Sequence, residues 1–281
     1  MLFALISAIT GAGALVADKL ALSRIKIGIS RYIPLLFLFL FVVTAVLVPS
    51  LGYVNWDVVF LPNMLFLVVL MIVIAIAWNV LFYQSLEKES VYDHEMITMT
   101  GPLVTILLAA VFFPEEFDSR IFIAGLIASV ALIFARVEKR HLHVTKTTYN
   151  LFLAVVLMSL ESIIIRELLF SYTPVALYAV RTFVLAVFFL SYYRPRWHQV
   201  NRHGWSLILI SALLGAAQML TRFYAFDALG VIFTTIIAVI GPIIVFFASW
   251  EILHERIRSR VIFSSAVILA TVTFATLVAA S

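Results

Sequence analysis

The chain has 281 residues, of which 64% are hydrophobic and only 12% charged, with a formal net charge of +4 and no cysteine. A soluble globule carries about 25% charged residues, so this composition describes an integral membrane protein. Disulfides and cysteine-based metal or thiol chemistry are excluded, and the few basic residues lie scattered over loops, which is a topology signal and not a nucleic-acid footprint.

A bilayer core takes about 20 apolar residues per helix. In chain order the sequence predicts ten spans: 2–22, 32–48, 60–86, 91–113, 119–137, 148–171, 174–193, 204–227, 231–253 and 259–280. The first lacks a basic leader and reads as a retained span. Connections are short, and strand alternation is absent, so the expectation is an all-α integral membrane bundle.

Two segments match without a gap. Gly101-Pro102-Leu103 runs on to Glu115 and Ser119-Arg120; Gly241-Pro242-Ile243 runs on to Glu255 and Ser259-Arg260, at a constant spacing of 140 residues. The expected organisation is two five-helix repeats, 1–137 and 148–281, joined by a basic loop over 138–147. Five is odd, so the second copy enters the membrane from the opposite side and the repeats are inverted. Arg24, Lys26, Arg31, Lys88, Arg136, Lys139, Arg140, Lys146, Arg194, Arg196, Arg202, Arg256, Arg258 and Arg260 gather on one side, against Arg120 alone in the loops of the other. The positive-inside rule then puts both termini outside.

Glu161 lies near the middle of the sixth span. A central acid costs about 2.5–3.5 kcal/mol on insertion scales, so it should face protein or a water-filled cavity. Its readings are a titratable carboxylate that binds a proton or cationic solute, or a structural ion pair. Arg166, Glu167, Arg181, Arg222 and Asp227 gather near the side poor in basic loops. Arg222 shares a helical stripe with Ser211, Gly215 and Gln218 and could hold a carboxylate; mutual pairing of charges at helix ends is the structural alternative. His94, Thr98, Gly101 and Thr105 share a face of the fourth span, matched by Thr234, Ala238, Gly241 and Val245. His94 could relay protons or be merely hydrogen-bonded, while Asp93 and Glu95 suit a helix N-terminus. His141 and His143 form a weak metal pattern, and no metal or cofactor is expected. Pro102 and Pro242, read as mid-helix, would permit kinks in both halves. Trp78 and Asn79, followed by Phe82 and Tyr83, could present rings to a solute. Ser7, Gly11, Ala14 and Asp18 form a stripe on the first helix suited to close packing. Trp56, Trp197 and Trp205 suit the membrane interface. Enzyme signatures such as HExxH, a phosphate loop or GxSxG are absent.

Together these features resemble the EamA family within the drug/metabolite transporter superfamily, over essentially the whole chain. The segments from Pro102 to Glu115 and Pro242 to Glu255 carry it most specifically. Lys19 looks like the basic residue ending that family's first helix, Arg31 and Arg181 like the arginine opening each second helix, and Phe82-Tyr83 and Phe223-Tyr224 like the aromatic end of each third. The resemblance implies a central cavity between repeats, alternating access, and transport of amino acids and other small metabolites. It implies cytoplasmic termini, against the loop charges. Related four-helix multidrug exporters carry an essential Glu in their first helix, and Glu161 stands in the matching helix of the second repeat; the first has Gly11-Ala12-Gly13 there.

The expected protein is therefore a secondary transporter for a small polar or amphipathic solute, proton-coupled through Glu161, in the plasma (inner) membrane of a prokaryote. Its partners are the solute, protons and the bilayer, and it is a monomer or homodimer. An organic-cation or multidrug exporter, a lipid-linked sugar flippase and a non-transporting assembly module are the alternatives.

Overall fold

The computed structural model describes residues 1–55, 57, 60–88, 94, 97–136, 146–244 and 259–280. Asp93, Glu95, Trp56, His141, His143, Val245 and Glu255 lie outside them, as does the end of the ninth predicted span. Among the described residues the chain is all-α, with nine helices: α1 (Leu2–Lys19), α2 (Ile29–Leu51), α3 (Pro62–Lys88), α4 (Gly101–Phe112), α5 (Ser119–Arg136), α6 (Lys146–Leu168), α7 (Pro174–Tyr193), α8 (Arg202–Ala238) and α9 (Ser259–Ala280). Five stretches, 2–22, 29–51, 62–88, 174–193 and 202–244, are long and apolar enough to cross a bilayer. Large apolar side chains such as Phe66, Val69 and Val73 stand exposed along one stripe of α3. That is a lipid-facing surface, because water would leave such a stripe buried.

Three of the expected spans take a different form. The span over 91–113 is interrupted: Ile97 and Thr98 are helical, Met99 and Thr100 turn, and α4 starts at Gly101. Pro102 therefore stands in the first turn of a helix and not in mid-helix, where its missing N–H costs nothing. Pro242 repeats the pattern, because the helix turns at Val239 and resumes at Ile240. The spans over 204–227 and 231–253 are joined in α8, but Gly230 breaks it with φ 77° and ψ 172°.

That break is held from outside the helix. Glu116, after α4, accepts a 2.7 Å hydrogen bond from the Val231 amide and a 2.8 Å bond from Arg166 Nε of α6. The carboxylate thus caps the helix that restarts at Val231, satisfying a donor the break would orphan. A Cβ at position 230 would collide with that carboxylate.

The bundle packs most extensively through four pairs: α1 on α8, α3 on α6, α2 on α7 and α5 on α9. Small residues permit close approach: Gly101 meets Val155 of α6, and Gly241 meets Ala8 of α1. Thr44 of α2 and Thr182 of α7 share a buried 3.2 Å hydrogen bond at the centre of their pair. At one end, Val54 and Tyr172 form an antiparallel bridge between the α2–α3 and α6–α7 connections. At the other, the Ile29 amide meets Glu87 and Arg31 reaches the Gln199 carbonyl. Each contact joins loops that the charge pattern assigns to the same side.

Candidate functional site

Two adjoining cavities of about 250 and 260 Å³ open between the helices. Phe82, Thr98, Gln218 and Arg222 line both and form the wall between them. The first also takes in Pro102, Pro242, Gly101, Gly241, Ser159 and Thr235, so both Gly-Pro elements face one space. The second gathers the charges: Asp18 of α1, Glu161 of α6, Arg181 of α7 and Arg222 of α8, among Trp78, Asn79, Tyr83, Tyr178, Phe223 and Phe226.

Glu161 is buried and fully engaged. Arg181 Nε donates to Oε1 at 2.6 Å and its terminal nitrogen to Oε2 at 3.2 Å. Trp78 Nε1 donates to Oε2 at 2.6 Å, and the Arg181 guanidinium lies 5.7 Å from the Trp78 ring centroid. Both charges are under 4% exposed. Bidentate pairing plus an indole donor offsets the desolvation that isolates such a pair from water.

Asp18 is held differently. Its carboxylate accepts from Tyr32 of α2 and Ser211 of α8, with a further hydrogen bond from Tyr83 of α3. Tyr32 also bonds Ser211 at 3.0 Å, and the Tyr32 and Tyr83 rings meet edge to face. Among the described residues no Lys or Arg forms an ion pair with it.

Arg222 meets a ring: its guanidinium lies 5.1 Å from the Phe226 centroid. No carboxylate among the described residues stands within salt-bridge distance. Gln218, one turn before it, packs onto Gly11, where a Cβ would come within 2.8 Å of Nε2.

Of the residues singled out from the sequence, Glu161, Trp78, Asn79, Tyr83, Thr98, Gln218, Arg222, Pro102 and Pro242 therefore come together. Asn79 also bonds back to the Ala75 carbonyl at 2.7 Å. Three do not join them. His94 is buried against Ser85 and Phe82, behind the cavity wall. Tyr224 points away and stacks on Phe3, leaving its neighbour Phe223 in the cavity against Tyr178. Thr234 is buried, and Thr235 is the threonine that faces the space. The charge group at the basic-poor side divides: Arg181 turns inward to Glu161, Arg166 pairs with Glu116, and Asp227 is exposed in a peripheral recess. Asp18, Tyr32 and Tyr178 were not legible as site residues. Asp18 ended a stripe otherwise made of Ser, Gly and Ala, and nothing local separated it from a packing position.

A multi-pass helical membrane protein with a charge-lined internal cavity is the class that fold and site define. Residues 146–277 match the EamA-like transporter family. A solved crystal structure described only as that of a protein superposes with a TM-score of 0.71 at 15% identity, covering 97% of this chain and 96% of its own. At that identity the likeness is one of fold. No curated protein matches the sequence. The matched family is one of transporters, not of enzymes.

Proposed function

We propose that the protein is a secondary transporter of ten spans in two inverted five-helix repeats, moving a small amphipathic solute with an anionic group by alternating access. The observation that carries this reading is Arg222. It is a cation facing both cavities, with no carboxylate among the described residues within salt-bridge distance, in walls made largely of aromatic rings. A carboxylate on the solute would satisfy the guanidinium's fixed donors, Gln218 would hold a second polar group, and the rings would take an apolar body. An amino acid with an apolar side chain has this chemistry.

Reciprocal packing supports the two-repeat organisation. With α8 divided at Gly230, the first helix of each half packs on the third of the other, second packs on second, and fifth on fifth. The Gly-Pro elements approach reciprocal partners: Gly101 meets the first helix of the second half, Gly241 that of the first. That is the pattern a two-fold axis in the membrane plane produces. The loop contacts at each end support the grouping of loops by side, and the charge pattern is what places the termini outside a prokaryotic plasma membrane.

An exporter of organic cations is less well supported, because both Glu161 oxygens are occupied by Arg181 and Trp78. Glu161 here fixes Arg181 and the Trp78 ring. The test is ligand-induced thermal stabilisation and uptake into proteoliposomes with amino acids, benzoate, phosphorylated metabolites and quaternary ammonium compounds. Anionic or zwitterionic carboxylates should stabilise the wild type and lose on the order of tenfold or more in affinity in Arg222→Gln. Stabilisation by quaternary ammonium compounds alone would refute the assignment.

A further inference from the structure

Among the described residues, the cavity holds two carboxylates whose surroundings differ in kind. Glu161 faces a guanidinium and an indole, groups that donate hydrogen bonds and accept none. A proton on Glu161 would leave one of those donors aimed at an O–H, so its surroundings fit the ionised form alone. Asp18 faces hydroxyls: Tyr32 from α2, Ser211 from α8 and Tyr83 from α3. A hydroxyl donates to a carboxylate and, after rotating, accepts from a carboxylic acid. That shell serves both protonation states without leaving a buried polar group unpaired, and Tyr32 and Ser211 are already linked to each other.

The charges support the same division. Among the described residues lining the cavity, the carboxylates of Asp18 and Glu161 are matched by the guanidinium groups of Arg181 and Arg222. Lys19, next along α1, lies in electrostatic reach of His94, behind the wall. With Asp18 ionised the cavity is neutral overall. With Asp18 protonated it carries one positive charge, that of Arg222, since Arg181 and Glu161 cancel.

We infer that Asp18 is a proton-binding site, and that its protonation, with the Tyr32–Tyr83–Ser211 hydroxyls turning from donors to acceptors, couples proton binding to the binding of an anion at Arg222. One proton from the open side adds to one carboxylate oxygen, nothing else is consumed, and proton plus monovalent anion restores neutrality. Each ligand then favours the other, as linkage requires. The coupling half rests on the anionic-solute reading; the proton site does not.

The experiment is infrared difference spectroscopy of the full chain in lipid, titrated with acid and without solute, following the C=O stretch of protonated carboxyls. The wild type should show a titrating band that is lost in Asp18→Asn. In Tyr32→Phe, which keeps the carboxyl and removes one hydroxyl, its midpoint should be displaced by about 1 pH unit. A band that survives in Asp18→Asn, or a midpoint unmoved in Tyr32→Phe, overturns the assignment. So does sodium at fixed pH abolishing the Asp18 band, because the hydroxyl shell would then be a sodium site. Benzoate should bind on the order of tenfold more tightly below the midpoint than above it in the wild type, and lose that dependence in Arg222→Gln. An intact Asp18 band with pH-independent or absent benzoate binding overturns the coupling and counts against the anionic-solute reading, while the proton site stands.

Discussion

At the scale of single residues, the cavity shows how far a side chain's meaning depends on what folding sets against it. Glu161 was visible in the sequence because an acid in mid-span is costly wherever it points. Its counter-ion was not visible: Arg181 is twenty residues away, and only the packing of α6 and α7 against the same neighbours, α3 and α8, brings the two to 2.6 Å. The same limit hid Asp18, whose three hydroxyl partners come from three other helices. A deletion test separates pair from site. Glu161→Gln leaves a buried guanidinium uncompensated and should destabilise the protein in detergent by about 3–5 kcal/mol. The double variant Glu161→Gln with Arg181→Gln should recover much of that loss. Thermal unfolding of the singles and the double forms a mutant cycle. If the double were as unstable as the sum of the singles, the ion pair would not be the unit that matters.

At the scale of elements, the informative features are breaks in helices. The gap between the predicted spans ending at 227 and starting at 231 falls on Gly230, where the backbone takes a left-handed φ that glycine tolerates and other residues resist. What the sequence did not disclose is that the new N-terminus would be capped by Glu116, from more than a hundred residues earlier. Gly230→Ala adds about 1–3 kcal/mol of backbone strain and pushes on the Glu116 carboxylate, so the melting temperature should fall. Glu116→Gln should fall less, because an amide oxygen can still accept from Val231 while the ion pair with Arg166 is lost. A Gly230→Ala variant as stable as wild type would show that the restart at Val231 is not fixed by this geometry. The start of α5 offers a pH test outside the membrane. Asp118 accepts from the Arg120 and Ile121 amides at 2.7 and 3.3 Å. The Arg120 side chain, then its amide, holds the carboxyl below its ordinary value of 3.8. A depressed value means the cap's contribution is present above the ordinary value and lost as pH falls through the lowered one. Amide exchange at Arg120 and Ile121, corrected for its intrinsic pH dependence, should speed up on acidification below that point, and in Asp118→Ala at neutral pH.

At the scale of the whole molecule, the constant 140-residue spacing was legible because the matching residues are polar or conformationally special, and such residues stand out from apolar sequence. Which helix meets which was not legible, because every lipid-compatible helix offers a similar apolar surface and small residues occur on several faces. The structure pairs α2 with α7 and ties their ends by the bridge between Val54 and Tyr172, with the Thr173 amide on the Tyr53 carbonyl at 3.1 Å and the Asn55 amide on the Ser171 carbonyl at 3.2 Å. If the two halves rock against each other during transport, this bridge joins parts that must separate when the cavity opens on that side. Val54 and Tyr172 face each other as a non-hydrogen-bonded antiparallel pair, a geometry with Cα atoms about 4.5 Å apart, within disulfide reach. The chain contains no cysteine of its own, so Val54→Cys with Tyr172→Cys introduces a single possible cross-link. Oxidation should stop proteoliposome flux of the solute identified by the stabilisation screen while leaving its binding in place, and reductant should restore flux in the same sample. The reduced double variant is its own control for any loss caused by removing Tyr172. Flux that continues through a fully formed cross-link would show that this end of the bundle stays shut throughout the cycle, and that access alternates by a movement elsewhere.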